Sequence, residues 1–124
     1  MKLEEQNTSL ELSKELKEAG YKQEGIWWWK SDEGESYLVY FNSRYRFSKG
    51  KILAVAPTVA ELGEALRNFE KSDWRHKIIY EGTMTIYKNY DTRGIRKEIE
   101  ADTEANARAK MWLYLKRKGL LKNQ

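Results

Sequence analysis

The feature that most constrains this chain is a helix-start pattern, T-x-x-E-L-x-x-x-L, which occurs once at Thr8 and again 50 residues later at Thr58. In each copy the Thr hydroxyl can accept a hydrogen bond from the backbone N–H three residues on, and the Glu can reach back to the Thr N–H, forming a capping box. The leucines four residues apart give each helix an apolar stripe. The pattern predicts two amphipathic helices. Its spacing indicates either an internal duplication or a coincidence of two common helix patterns.

A third helix is predicted towards the carboxyl end, where residues 102–104 (Asp-Thr-Glu) form its start. Gly20 and Gly119 supply the left-handed residues that end the first and third helices, and the second is expected to fade near Phe69. Because apolar residues cover a wide arc of the third helix, we expect more than one element to pack against it.

Between the helices the hydrophobic period falls to two and β-forming residues dominate, which is typical of strands. Short connections favour antiparallel hairpins over crossovers. The predicted fold is therefore α+β, with antiparallel sheets packed with three helices in the order αβββαβββα. The 124 residues suit a single domain, in which a duplication would give units 8–56 and 58–100 and a closing helix 102–118. The six predicted strands are residues 26–30, 37–41, 51–56, 77–80, 83–87 and 95–100.

The composition argues against the familiar kinds of enzyme. The chain has no Cys and one His, which excludes a thiolate nucleophile, a disulfide framework, a Cys-ligated zinc ion and a polyhistidine metal site. That His, His76, lies three residues after Asp73, so an acid–base pair is one interpretation. The other is a surface or strand-edge histidine, because no Ser-His-Asp order, Gly-rich phosphate loop or H-E-x-x-H pattern accompanies it. We expect no enzyme activity, cofactor or metal.

The net charge of +4 conceals an uneven distribution. Residues 37–57 carry four basic groups and no acid, and the last fifteen residues carry five basic groups and no acid. No apolar run exceeds five residues, so the sequence predicts neither a signal peptide nor a membrane span. A cytoplasmic location is the default expectation.

Three consecutive tryptophans, Trp27, Trp28 and Trp29, form the first candidate binding feature. In a strand, two of the indoles face one side of the sheet and the third faces the other. One interpretation is that helices or a partner cover both faces and all three rings are core or half-core. The other is a platform that stacks nucleic-acid bases or anchors a protein interface.

The segment 42–51 is the second candidate, because it interleaves aromatic and basic residues without an acid. Its cations have a spacing that can follow a phosphate backbone. The alternative is a solvated hairpin in which basic residues protect a sheet edge from aggregation. The candidate residues here are Arg44, Tyr45, Arg46, Lys49 and Lys51.

Residues 58–118 resemble the double-stranded RNA-binding domain in element order: helix, three strands, helix. That family places lysines at the start of its final helix to contact phosphates. Here the corresponding helix begins with Asp102 and Glu104, which would repel phosphate. The resemblance therefore transfers no binding residues.

The stretches LELSKELKEAGY, APTVAELGEAL and EADTEANARAKMWLYLKRKGLL resemble small proteins of bacteria, phages and prophages that have no assigned activity. The resemblance implies a bacterial or phage setting and supplies no functional residues. By analogy, such proteins often bind a host or phage macromolecule.

Three hypotheses for function follow. The first is a non-enzymatic module that binds a protein, or a second copy of itself, through an aromatic sheet face or edge. The second is a nucleic-acid-binding module in which the 42–51 cations and the C-terminal lysines form one basic face. The third, a hydrolase that uses Asp73 or His76, is the least supported.

Overall fold

The computed structural model describes residues 3–40, 50–66, 75–81, 84–91 and 94–119. It confirms the α+β class. A four-residue helix that the sequence pattern did not predict precedes the first long helix. The elements are α1 (Leu3–Gln6), α2 (Leu10–Glu18), β1 (Trp27–Asp32), β2 (Glu35–Tyr40), β3 (Lys51–Val55), α3 (Val59–Leu66), β4 (Arg75–Glu81), β5 (Met84–Asp91), β6 (Gly94–Ala101) and α4 (Glu104–Arg117).

The first sheet has the strand order β2-β1-β3, with both outer strands antiparallel to β1. β1 and β2 form a tight hairpin, in which Glu33 and Gly34 both have positive φ (51° and 83°), the conformation that a two-residue hairpin turn requires. Because β2 and β3 lie on opposite sides of β1, the segment between them does not join paired strands. β2 and β3 are therefore not hairpin partners, and the alternative of a solvated hairpin over 42–51 falls mostly on residues 41–49, outside the described residues.

The backbone of the second sheet forms an antiparallel meander in the order β4-β5-β6. Its central strand is the second of its three in sequence, whereas the central strand of the first sheet is the first. The two halves therefore do not share a topology, and the described strands do not support an αβββ duplication. The similarity of the two T-x-x-E-L-x-x-x-L segments stops at the helices.

Two of the three predicted helix starts are confirmed. At α3 the Thr58 N–H donates to Glu61 Oε1 (3.0 Å) and the Glu61 N–H donates to Thr58 Oγ1 (3.2 Å), a complete capping box. At α4 the Thr103 hydroxyl accepts from the Asn106 N–H (3.1 Å). At α2 the predicted cap is wrong, because Ser9 is the N-cap and accepts from the Leu12 N–H (3.3 Å). Thr8 instead donates its hydroxyl to the Pro57 carbonyl (3.0 Å).

The helix ends agree with the glycine pattern. Gly20 (φ 96°) follows α2 and Gly119 (φ 69°) follows α4, so both helices end on a left-handed glycine. The predicted fading of the second helix near Phe69 lies outside the described residues.

α4 lies at the centre of the molecule. It packs against α2 and α3 and against the strands β5 and β6, as its wide apolar arc predicts. Trp112 and Met111 are completely buried in this core, together with Leu16 of α2 and Leu62 of α3. The first sheet contributes Trp28, Val39 and Val55 to the same core.

Candidate functional site

The three tryptophans divide between two environments, as strand alternation predicts. Trp28 is buried in the core, where its register partners Val39 and Val55 lie on the same face of the sheet. Its indole N–H donates to the Gly25 carbonyl (3.1 Å). Trp28 is therefore a core residue, and the interpretation that it serves as a binding platform fails for this ring.

The opposite face of the first sheet carries the side chains of Trp27, Trp29, Leu38 and Tyr40, here called the aromatic face. Tyr40 is 47% exposed, and the other three are half-buried. Trp27 and Tyr40, which are cross-strand partners, pack edge to face with ring centroids 5.5 Å apart. Adjacent to this pair, Ile26 is 48% exposed. The aromatic face is thus a partly uncovered apolar surface.

Trp29 is fixed in this surface by a hydrogen bond to a distant part of the chain. Its indole N–H donates to the Thr8 carbonyl (2.9 Å), in the segment between α1 and α2. Its register partner on β3 is Ala54, a small residue that is 1% exposed. The Thr8 backbone is itself bonded to Pro57, because the Thr8 N–H donates to the Pro57 carbonyl (2.9 Å). The indole orientation is therefore set by the folded framework.

Lys30 is a buried residue that the sequence analysis missed. Its side chain is completely buried on the core face, two residues from Trp28. Gly50 (φ 106°) approaches it so closely that an added Cβ would lie 3.2 Å from Lys30 Cε. Strand alternation was the available signal, because a residue two positions from a core tryptophan faces the core.

Of the basic candidates, Lys51 is described, and it is exposed at the start of β3. Arg44, Tyr45, Arg46 and Lys49 lie outside the described residues.

The C-terminal basic residues reach the same end of the molecule as Lys51. α2 and α4 run in the same direction, since the Ser9 N–H donates to Asn106 Oδ1 (2.9 Å) at their starts and Arg117 pairs with Glu15 (3.5 Å) near their ends. Lys17, in the last turn of α2, donates to the Leu53 carbonyl (3.0 Å), two residues from Lys51. The ends of α2 and α4 therefore lie together, at the end of the molecule where β3 begins. The cations at this end include Lys17, Lys51, Lys116, Arg117 and Lys118.

His76 lies in β4, where its backbone is in register with Asn89. Asp73 lies outside the described residues, so their mutual geometry is not defined. Elsewhere, a shallow cavity of about 570 Å³ is lined by Gln6, Thr58, Val59, Ala60 and Arg108. The Arg108 guanidinium is bonded to Glu104 (2.9 Å) and to the Val59 carbonyl (3.2 Å). This cation therefore ties α3 to α4.

Burial raises the pKa of the Tyr21 phenol to about 12, and the negative charge of Glu61 adds to the effect. The Tyr21 ring packs edge to face against Trp112, with centroids 5.1 Å apart. A phenol with a raised pKa keeps its proton more firmly than usual, so this residue is a structural core group and a poor proton donor.

Comparison with protein-family models, with curated proteins and with solved structures gives no match for this chain. Among the described residues, no helix has the length and apolar character needed to cross a bilayer. Within that same part of the chain, no three His, Asp or Glu side chains cluster as metal ligands would. The assignment of function therefore depends on the geometry of the aromatic face and of the basic end.

Proposed function

We propose that the chain is a non-enzymatic protein-interaction module whose binding surface is the aromatic face. The observation that carries this proposal is the edge-to-face pair of Trp27 and half-exposed Tyr40 on a sheet face that the described elements leave partly uncovered. Trp and Tyr are enriched among the residues that dominate binding energy at protein interfaces. A surface that combines both rings with Leu38 fits a protein partner.

The rigidity of this surface supports the same proposal. Trp29 is held through its N–H by the Thr8 carbonyl, and the tight turn at Glu33 and Gly34 fixes β2 against β1. Side chains that are already ordered lose less conformational entropy on binding than mobile ones. We further propose a bacterial or phage setting, from the resemblance to small bacterial and phage proteins, and a cytoplasmic location, in which the module would bind a host or phage protein.

The test compares the proteins that the intact chain and two variants retain from the native host after cross-linking. In the double variant Trp27→Ser with Tyr40→Ser, we expect retention of the specific partner to fall at least about tenfold, since losing one interface aromatic costs roughly 2 kcal/mol or more. Lys14→Ser, at an exposed position in the middle of α2, is the matched control and should retain the partner. Equal retention by the double variant would contradict the proposal.

Nucleic-acid binding is the second candidate function, and the basic end favours it. The parallel course of α2 and α4 brings Lys116, Arg117 and Lys118 to the end of the molecule where Lys51 ends the basic segment 42–51. Clustered cations of this kind bind phosphates in a salt-dependent manner. Glu15 and Glu18, on the last turns of α2, lower the net charge there and make this the weaker candidate.

A fluorescence titration with labelled single- and double-stranded nucleic acid, at low and moderate salt, tests this second function. Binding that weakens steeply with salt and is lost in Arg44→Ala with Arg46→Ala would support it. Lys14→Ala, which removes a lysine away from the basic end, should leave the affinity unchanged. No binding at low salt would rule the candidate out and leave the protein-interaction module.

A further inference from the structure

Within the described part of the chain, β2 is an edge strand whose outward backbone groups make no hydrogen bonds. The Ala56 N–H donates to the Trp27 carbonyl (2.9 Å), so the Trp27 backbone points towards β3. Because the direction of the backbone N–H and C=O groups alternates along a strand, those of Trp28 point the other way, towards its partner Val39 of β2. The alternate residues of β2, Ser36, Leu38 and Tyr40, must therefore point their N–H and C=O groups away from β1. In the described part of the chain these groups have no hydrogen-bond partner, and they are here called the β2 edge.

The other edge of the same sheet is protected. On β3 the Leu53 carbonyl accepts from Lys17 Nζ (3.0 Å), and the Val55 N–H donates to Gln23 Oε1 (3.0 Å). The Ala56 N–H faces β1, so the N–H of the preceding residue, Val55, faces away from β1. The Leu53 carbonyl lies on that same outer side. β3 is also bulged opposite Trp29 and Lys30. Side-chain caps, lysines and bulges are the usual devices that stop a sheet edge from pairing. The β2 edge has none of them among the described residues.

We propose that the β2 edge pairs with the β2 edge of a second copy of this chain, antiparallel, about a twofold axis at Leu38. The inference rests on the proposed function, because it names the first partner of the interaction module. In this register Leu38 lies opposite Leu38 of the second copy, and Ser36 lies opposite Tyr40. Ser36, Leu38 and Tyr40 of one copy then pair with Tyr40, Leu38 and Ser36 of the other. Every outward N–H and C=O group of both edges is hydrogen-bonded in this register.

The composition of β2 favours a second copy as the occupant. Its residues ESYLVY include one charged side chain, Glu35, and no Lys, Arg or Pro. In the proposed register the two Glu35 residues lie six positions apart, or about 20 Å at the usual rise per residue. That separation exceeds the screening length of roughly 8 Å at physiological salt, so their repulsion is negligible. The side chains of β2 therefore present no charge repulsion that would oppose pairing with a second β2.

Self-pairing also affects the aromatic face. Residues in register across paired strands lie on one side of a sheet, so the two aromatic faces would join on the same side of a six-stranded sheet in the order β3-β1-β2-β2-β1-β3. Tyr40 of each copy would then pack beside Ser36 and Leu38 of the other. The dimer would present a doubled apolar platform to a further partner.

Analytical ultracentrifugation of the full chain and of charge variants at Leu38 tests both the interface and its register. The wild type is expected to be a dimer. Leu38→Lys and Leu38→Glu, each measured alone, place like charges directly opposite one another and should raise the dimer dissociation constant at least about tenfold. An equimolar mixture of the two variants should restore the dimer, because position 38 then faces the opposite charge. A monomeric wild type, a dimeric Leu38→Lys variant or a mixture that stays monomeric would each overturn the proposal.

A second pair of variants removes only the backbone donor. Ser36→Pro deletes an outward N–H that β1 does not use, and Ser36→Ala keeps that N–H while removing the hydroxyl. We expect dissociation of the dimer for Ser36→Pro alone. In the wild type, amide hydrogen exchange at positions 36, 38 and 40 should slow as protein concentration rises, which reports the edge directly without any substitution. Exchange at these amides that is independent of concentration would overturn self-pairing.

These measurements separate this proposal from the proposed function. Trp27 lies on the central strand, away from the edge, so Trp27→Ser should remain dimeric while losing the captured partner. A wild-type monomer whose partner capture depends on Trp27 would overturn self-pairing and leave the proposed function standing. A dimer that depends on Leu38, with capture indifferent to Trp27 and Tyr40, would do the reverse.

Discussion

Burial changes the acid–base chemistry of Tyr21. The phenol is 8% exposed, and its pKa is raised to about 12 by the loss of solvent and by the nearby Glu61 charge. An unfolded tyrosine ionises near pH 10. Between pH 10 and 12 the unfolded chain therefore releases a proton that the folded chain keeps, which favours unfolding. The stabilising contribution is complete below pH 10 and is lost as the pH rises towards 12.

Tyr21→Phe should remove this pH dependence. Between pH 9 and pH 11, we expect the unfolding free energy of the wild type to fall by about 1 kcal/mol more than that of Tyr21→Phe. Urea unfolding at the two pH values measures the difference. Tyr40→Phe controls for the loss of a hydroxyl at an exposed position. Parallel pH profiles for the wild type and Tyr21→Phe would contradict the assignment.

Lys30 shows what a sequence can reveal about a single residue and what it cannot. The period of two that identifies β1 also places Lys30 on the face of Trp28, so its direction was predictable. Its complete burial was not, because a lysine side chain is long enough to reach water from most strand positions. The approach of Gly50, from a chain segment 20 residues away, encloses the side chain. Such enclosure depends on tertiary packing, which the local periodicity of the sequence does not reveal.

At the scale of secondary-structure elements, adjacent capping residues compete for the same helix start. Thr8 and Ser9 can both cap α2, and the T-x-x-E pattern favours Thr8. The structure selects Ser9 because the Thr8 hydroxyl and N–H are bonded to the Pro57 carbonyl, 49 residues away. No local pattern contains that contact. At Thr58 no rival hydroxyl follows and the predicted cap is correct, and the predicted start at residues 102–104 is confirmed with Thr103 as the cap.

Ser9→Ala should therefore destabilise the protein by about 1 kcal/mol through loss of the α2 cap. Thr58→Ala should cost a similar amount, about 1 kcal/mol, at α3. Thermal or urea unfolding of both variants measures the two losses. The discriminating result is that of Ser9→Ala, because an unchanged stability would mean that Thr8 caps α2 in solution.

At the scale of the whole molecule, strand order was the least predictable property. The lengths and periods of the six strands agree with the structure to within a few residues, because each strand carries its own pattern. Whether β3 joins β2 or the far side of β1 depends on how α2 covers the β3 edge through Lys17 and on how Gln23 binds Val55. Because β3 pairs with the far side of β1, β2 is left at an edge of the sheet, and the proposed dimer depends on that position.

Asn106 connects the two ends of the chain. The residue is 7% exposed; its Oδ1 accepts from the Ser9 N–H (2.9 Å) and its Nδ2 donates to Asp102 Oδ1 (2.8 Å). Through it, the start of α4 holds the start of α2, 97 residues earlier. This bond joins the starts of the two helices, which run in the same direction to the basic end.

Exchanging the side chains of Asp102 and Asn106 tests the hydrogen bond between them, which holds Asn106 in place. Asn106→Asp keeps the acceptor for Ser9 but replaces the donor to Asp102 with a second carboxylate, so we expect a loss of roughly 1 to 3 kcal/mol of stability at neutral pH. Adding Asp102→Asn restores a donor and acceptor in reversed positions, and should recover most of the loss. The coupling free energy from this double-mutant cycle, measured by urea unfolding, should be well above the scatter expected of independent sites. Additive effects of the two substitutions would show that the Asp102–Asn106 hydrogen bond contributes no coupling free energy to the folded state.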